Sequence, residues 1–296
     1  MHVLVSGSTG LIGSALVRSF SGDKDRVTRL VRGAPTDDTT VSWDPKAVRL
    51  DTSRWPAVDA VVHLAGENVA GRWTRRKKRR IRDSRVNGTR TLCEALARMP
   101  KPPPRLISAS AMGFYGDRGD EVLTEDSPAG TGFLSDVCRE WEAATSPASD
   151  AGIRVVNLRI GVVLSTAGGA LAKMLTPFRM GIGGRIGSGR QYISWIALDD
   201  VLGAIHHVLT HDVPAGPVNV TAPNPVTNAE FTKALGRVVG RPTLLALPAF
   251  AARVALGQMA NEMLLASTRV VPRRLSETRY AFRYEHLEAA LRHLLG

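Results

Sequence analysis

Residues Val3 to Val17 read Val-Leu-Val-Ser-Gly-Ser-Thr-Gly-Leu-Ile-Gly-Ser-Ala-Leu-Val. An apolar strand pattern runs into three evenly spaced glycines and leaves as helical periodicity. A buried strand followed at once by a helix demands a sharp reversal, and Gly7 can take dihedrals that a Cβ forbids. Gly10 lets main-chain N–H groups approach a pyrophosphate, and Gly13 lets helix and strand pack closely. The positive end of the helix from Leu11 then faces an anion, with Ser8, Thr9 and Ile12 completing the turn. Alone, a glycine triplet is only a tight turn. In this strand–turn–helix context, opening an α/β-patterned chain, it reads as a dinucleotide site.

The second strand, Arg26 to Val31, is followed by Arg32. An NAD-type site places a carboxylate at about this point, on the ribose 2′-hydroxyl. A guanidinium there favours a 2′-phosphate through charge-assisted, bidentate hydrogen bonds, so the expected cofactor is NADP(H). The competing reading of Arg32 is a solvated strand-end arginine.

At 296 residues, 44% of them hydrophobic, the chain suffices for a full core and a smaller second unit. No stretch offers the roughly 20 uninterrupted apolar residues of a membrane span. The most apolar late run, Leu244 to Leu256, is broken by Pro248 and Arg253. The first strand begins at once, without the pattern of a secretion signal, so a cytoplasmic location with no membrane partner is expected. Cys93 and Cys138 stand far apart in no ligand spacing, as small buried side chains rather than a disulfide or metal site. The net charge of +12 is concentrated between Arg72 and Arg85, where nine of fourteen residues are basic. No interleaved aromatic platform or nucleic-acid motif accompanies the run, so it reads as the solvated start of a helix continuing through Leu96.

Strand and helix patterns then alternate. Val41 to Pro45 is a short strand, with Asp44 at the adenine side. Val58 to Gly66 is a buried strand whose Leu64, Ala65 and Gly66 let backbone run beside the cofactor; His63 within it reads as a satisfied core histidine. Arg105 to Ala111 and Ile153 to Leu164 are further buried strands. Ser108, Ala109 and Gly161 lie at their cofactor ends, and Arg159 is either a cofactor contact or a paired structural charge. The alternation implies an α/β fold with a doubly wound parallel sheet, the Rossmann arrangement. Residues 1–165, with 192–221 returning to them, form the expected cofactor domain; 166–191 and 222–296 form a smaller, mainly helical substrate cap. Gly181 to Gly189 reads as a loop over the site. From the loop and the strand that follows it, Arg185, Gln191 and Trp195 are the candidates for touching substrate. Asp200 reads as a cap or pair, and Thr227 with Glu230 as a capping box.

The Gly-x-x-Gly-x-x-Gly spacing with Ser8-Thr9 resembles the extended, epimerase-like branch of the short-chain dehydrogenase/reductase superfamily. Ser108 to Gly116, Ser-Ala-Ser-Ala-Met-Gly-Phe-Tyr-Gly, resembles the segment that carries that branch's active-site hydroxyl, and Ser110 is the better match. The resemblance implies a Tyr-x-x-x-Lys pair on the next helix, but anchoring on Glu142 places Leu134 and Cys138 in those positions. Trp43-Asp44-Pro45, Leu64 to Asn68, Arg72-Trp73, Ser84-Arg85 and Gly183 to Ile196 narrow the likeness to an atypical extended group. Its members are named sugar-nucleotide epimerase-like or epimerase family proteins, and the tail is similar to that group's C-terminal domain of unknown function.

The resemblance thus implies an NADP(H)-dependent oxidoreductase or epimerase whose proton transfer falls to another group. Tyr115, Ser110 and Glu67 are the candidates, with Cys138 behind them; each has a structural alternative in core packing or a turn hydrogen bond. The other reading is an NADP(H)-binding sensor or scaffold that has lost turnover. The expected partner is a small-molecule substrate, which the basic surface would suit if anionic. Both monomer and homodimer remain open.

Overall fold

The structure is a computed structural model describing residues 1–20, 25–35, 37–47 and 50–296. Seven strands, β1 (His2–Ser6), β2 (Arg26–Val31), β3 (Thr40–Ser42), β4 (Ala60–His63), β5 (Arg105–Ala111), β6 (Arg154–Ile160) and β7 (Gly216–Val220), form one sheet. Their order is β7-β6-β5-β4-β1-β2-β3, every neighbouring pair parallel. The order reverses between β1 and β4, the switch point at which such sheets bind ligands beyond the strands' carboxyl ends.

The central strands are apolar on both faces because helices cover both. Val3, Val5, Val62, Ile107 and Leu158 point to one face, against Leu16 of α1 (Leu11–Ser19) and Val201, Ile205 and Val208 of a helix at Leu198–Thr210. Leu4, Val61, Leu106 and Val155 point to the other, against Leu92, Cys93 and Leu96 of α2 (Arg75–Ala97). A second core lies in the C-terminal part, where Leu171, Leu175, Trp195, Phe231, Leu235 and Leu291 meet. The capping box holds there: Thr227 Oγ1 accepts from the Glu230 N–H at 3.2 Å while Thr227 N–H donates to Glu230 Oε2 at 2.7 Å.

Asp200, fully buried, joins the two cores. Its carboxylate accepts from the Tyr280 hydroxyl and from the main-chain N–H groups of Arg283 and Tyr284, at 3.0, 2.8 and 3.0 Å. The tail is thereby fixed to the first turn of the helix at Leu198–Thr210. The expected loop at Gly181 to Gly189 contains a short strand, Gly184–Ile186, paired in parallel with Leu245–Leu247. A Cβ on Gly184 would stand 1.8 Å from the Leu245 carbonyl oxygen, so the pairing uses the residue that made the stretch look like a loop.

His63 is enclosed at the end of β4. Its Nδ1 lies 2.6 Å from Ser6 Oγ and its Nε2 3.0 Å from Thr89 Oγ1, which also accepts from the Trp141 indole N–H at 2.9 Å. Burial pushes the imidazole down to about 4, so it is neutral at pH 7. The unfolded chain, with an ordinary histidine near 6.5, binds this proton first as pH falls. Stability present above about pH 6.5 is therefore lost as pH falls through about 4, by about 3 kcal/mol from this group. Urea unfolding across this range should show a shallower pH dependence in His63→Gln than in the parent; parallel curves would refute the assignment.

Candidate cofactor and active site

At the end of β1 the chain turns at Gly7 with φ +69°, and the Gly10 N–H donates to the Gly7 carbonyl at 3.0 Å. A Cβ on Gly7 would lie 2.7 Å from the Leu64 carbonyl carbon, and one on Gly13 only 2.2 Å from the Gly7 oxygen. The turn is thus wedged between α1 and the segment after β4, which is tied down by the Leu64 N–H donating to the Ser6 carbonyl at 3.2 Å. No side chain caps α1 at Gly10, so the first-turn N–H groups of Leu11, Ile12 and Gly13 are left for an anion. Ser8 is buried beneath the turn, while Thr9 and Gly10 are exposed on it. Leu11 reaches the opposite wall, where a Cβ on Gly169 would meet its methyl at 3.2 Å. Groups of this cradle fit a dinucleotide, since the space a side chain would fill is kept clear by sequence.

Arg32 follows β2 directly and is exposed; β1 and β2 are in register through Ser6 and Leu30, so Arg32 stands beside the turn. Among the described residues no carboxylate pairs with it. Asp44, also exposed, accepts from the Lys46 N–H at 2.9 Å and so closes its own turn, while neighbouring Trp43 packs edge-on to His63. Ser108 and Ala109 are buried in β5, with Ser108 in register with His63. Gly161 is explained by main-chain crowding, because a Cβ there would lie 2.7 Å from the Ser194 oxygen.

Beyond the end of β5 lies a buried polar network. Ser110 Oγ donates to Glu142 Oε1 at 2.7 Å, and Glu142 receives both Nε and Nη2 of Arg159 at 2.8 Å. Arg159 Nη1 donates to Tyr115 Oη at 3.0 Å, and Tyr115 donates to Asn219 Oδ1 at 2.6 Å. The guanidinium lies 3.4 Å from the centroid of the Phe114 ring. Of the two readings open for Arg159, the geometry shows the pairing: its donors meet Glu142 and Tyr115. Tyr115 belongs to the same network. It is fully buried, and burial pushes its phenol up against the opposing influence of Arg159, so it presents no proton to a cleft.

Glu67 pairs with Lys77 Nζ at 2.8 Å and Arg80 Nη2 at 2.6 Å. Chiefly the Lys77 hydrogen bond holds its carboxyl below the usual range. These pairs anchor the first turns of α2 and offset part of their charge. Trp195 is fully buried with its indole N–H on the Asn224 carbonyl at 3.0 Å, and Gln191 donates to the Ile186 and Leu264 carbonyls, each at 3.0 Å. Both hold the cap together through these bonds. Arg185 alone of that trio is exposed, its Nη1 on the Ser188 carbonyl at 2.9 Å. On α3 (Phe133–Ala143) Leu134 packs over Gly113, and Cys138 is buried with its thiol pushed up to about 12 by burial. An apolar, protonated thiol is a poor nucleophile or acid.

Sequence reasoning treated Arg85 only as part of a shared phrase and as the end of the solvated basic run. Its guanidinium lies 3.4 Å from where a Gly66 Cβ would stand, donates to the Glu67 carbonyl at 3.0 Å, and sits 5.0 Å from the centroid of the Trp141 ring. Its charge also acts on the Cys138 thiol, in the helix position aligned with a lysine. A legible signal was available: Arg85 falls between buried Ile81 and buried Thr89 at helical spacing, a cation on a covered face.

Residues 3–221 match the model of the NAD dependent epimerase/dehydratase family, and residues 247–294 match a domain of unknown function, DUF1731. Epimerase family protein MT2273 of Mycobacterium tuberculosis is 46% identical over 290 residues, covering 98% of this chain and 96% of the relative. The crystal structure of human epimerase family protein SDR39U1 with NADPH superposes with a TM-score of 0.90 at 35% identity, covering 99% of each chain. UDP-glucuronic acid 4-epimerase from Bacillus cereus in complex with NAD, 16% identical with a TM-score of 0.77 over 99% of this chain and 96% of the other, shares the fold. With its glycine cradle and parallel sheet, the chain belongs to the NAD dependent epimerase/dehydratase family.

Proposed function

We propose that the protein binds NADP(H) and exchanges hydride between it and a small-molecule substrate by a route that does not use a Tyr-x-x-x-Lys pair. The observation that carries the reading is Arg32, exposed beside the glycine cradle and facing no carboxylate among the described residues. The NADPH of the human relative supports the same choice of cofactor. Residues 1–165 with 192–221 hold the cofactor in this reading, and 166–191 with 222–296 close over the substrate.

The first-turn N–H groups of α1 bind the pyrophosphate, Arg32 the 2′-phosphate, and the backbone of Leu64, Ala65 and Gly66 lines the dinucleotide. When bound, the nicotinamide supplies the hydride donor or acceptor. Arg85 contributes the positive charge that α3 lacks, set against the Gly66 loop. Ser110 serves the proton: in the oxidative direction its Oγ accepts the proton of a substrate hydroxyl while its own passes to Glu142 Oε1. Arg185 at the cap suits an anionic group on the substrate. The protein acts in the cytoplasm as a monomer or homodimer.

A second reading, a cofactor-binding sensor without turnover, is favoured by the internal bonding of Tyr115 and Glu67. Deuteride transfer from labelled NADPH to a panel of carbonyl compounds and sugar nucleotides separates the two. Stereospecific transfer is expected; tight NADPH binding with no oxidation on any of them would leave the sensor.

Arg32→Asp should reduce the ratio of NADH to NADPH dissociation constants by about tenfold to a hundredfold, since it removes charge-assisted hydrogen bonds to the extra phosphate. An unchanged ratio would remove Arg32 from the site. Ser110→Ala should cut turnover by about a hundredfold or more with NADPH affinity kept. Tyr115→Phe should keep turnover and cost about 1 kcal/mol of stability, measured by unfolding. Loss of turnover in the phenylalanine variant alone would return the proton to Tyr115.

A further inference from the structure

Two segments of the C-terminal part combine features that, Arg185 apart, the proposed chemistry does not use. Residues 166–198 and 231–261 contain no aspartate or glutamate, yet carry eight cations: Lys173, Arg179, Arg185, Arg190, Lys233, Arg237, Arg241 and Arg253. All eight are exposed, and among the described residues only Arg237 of them meets a carboxylate, that of Glu288. The same segments hold seven of the nine exposed large hydrophobic residues described, including Leu244 at 91%, Val254 at 72%, Phe250 at 69% and Met180 at 68% exposed. Scattered exposed apolar residues need no explanation, but a concentration of this kind does.

These residues are neighbours in space. Leu245–Leu247 pairs in parallel with Gly184–Ile186, Leu245 opposite Gly184 and Leu247 opposite Ile186, which sets the exposed run Leu244 to Leu247 alongside the stretch that follows Met180 and Ile182. Arg241 Nε donates to the Arg179 carbonyl at 3.1 Å, tying the ends of the two segments together. Pro248 then starts the helix Ala249–Leu256, in which Phe250 and Val254, four residues apart, share the outward face while Ala252 is buried. Arg253 stands beside them with its Nε on Asn261 Oδ1 at 2.9 Å, and Arg72 donates to the Val254 carbonyl at 3.0 Å. Aliphatic and aromatic tips are therefore edged by guanidinium groups.

We infer that this surface docks peripherally on an anionic lipid bilayer, the helix Ala249–Leu256 lying along the interface. An apolar face rimmed by arginines matches both the headgroup charge and the acyl boundary beneath it, and long basic side chains keep their charge in the headgroup layer. A second copy of this chain fits poorly, because two surfaces on which eight cations meet a single carboxylate repel across a two-fold axis. No described helix is long and apolar enough to cross a membrane, so the contact lies on the surface. The docking goes beyond the cofactor reading and stands if that reading fails.

Co-sedimentation of the full chain tests it, with vesicles of phosphatidylcholine alone against equal mixtures of phosphatidylcholine and phosphatidylglycerol. Binding to the anionic vesicles should exceed that to the neutral ones by about tenfold or more and weaken as salt is raised. Arg241→Glu with Arg253→Glu, and separately Phe250→Ser with Val254→Ser, should each lower it by about tenfold while NADPH affinity and the melting temperature stay at the parent values. Equal partition into both vesicle types, or variants that bind as the parent does, would overturn the proposal. So would light scattering that finds a dimer without lipid which the serine pair converts to monomer, since the face would then be a self-contact.

Discussion

Everything in the amino-terminal half depends on how closely α1 is drawn onto the seam between β1 and β4. The Gly13 Cα rests against the Gly7 carbonyl and Gly7 rests against Leu64, in contacts that a single methyl group would break. That closeness aims the uncapped end of α1 at the point where the strand order reverses. The proposed anion site there rests on the geometry of the main chain more than on any charged side chain. It also explains why the three segments nearest the turn are built of small residues and backbone hydrogen bonds.

A second constraint is the buried arginine in β6. A guanidinium removed from water is tolerated when its donors are satisfied, and Arg159 meets Glu142 twice, Tyr115 once and the face of Phe114. Glu142 comes from α3, Tyr115 from the turn after β5 and Asn219 from β7, so one side chain holds four elements in register. The tyrosine that could have served as an acid is spent on this internal role. Ser110, also buried, ends the network by donating to Glu142.

Basic residues fall into two populations. Those opening α2 are drawn inward in part: Glu67 takes Lys77 and Arg80, Arg82 reaches Glu140 at 2.6 Å, and Arg85 lies against Gly66. The eight in residues 166–198 and 231–261 stay in solvent, and among the described residues only Arg237 of them meets a carboxylate. The net charge of +12 is thus divided between a helix that partly neutralises itself and a surface that does not.

The sequence by itself determined the sheet class, the glycine turn after β1 and most element boundaries, because these follow from short-range periodicity and from backbone requirements that only glycine meets. It also determined the buried state of His63 and the capping box at Thr227, each legible from a few neighbouring residues. Tertiary structure alone decided the fate of the charged and aromatic candidates. Glu67 with Lys77, Ser110 with Glu142, and Gln191 with Leu264 are partners separated by ten to seventy-three residues, and sequence carries no record of such pairings. The strand at Gly184–Ile186 was hidden for the same reason: its partner is sixty-one positions away, and a glycine-rich stretch becomes a strand only when another backbone is there to pair with it. A side chain's chemistry is local, but its availability depends on what the fold brings beside it.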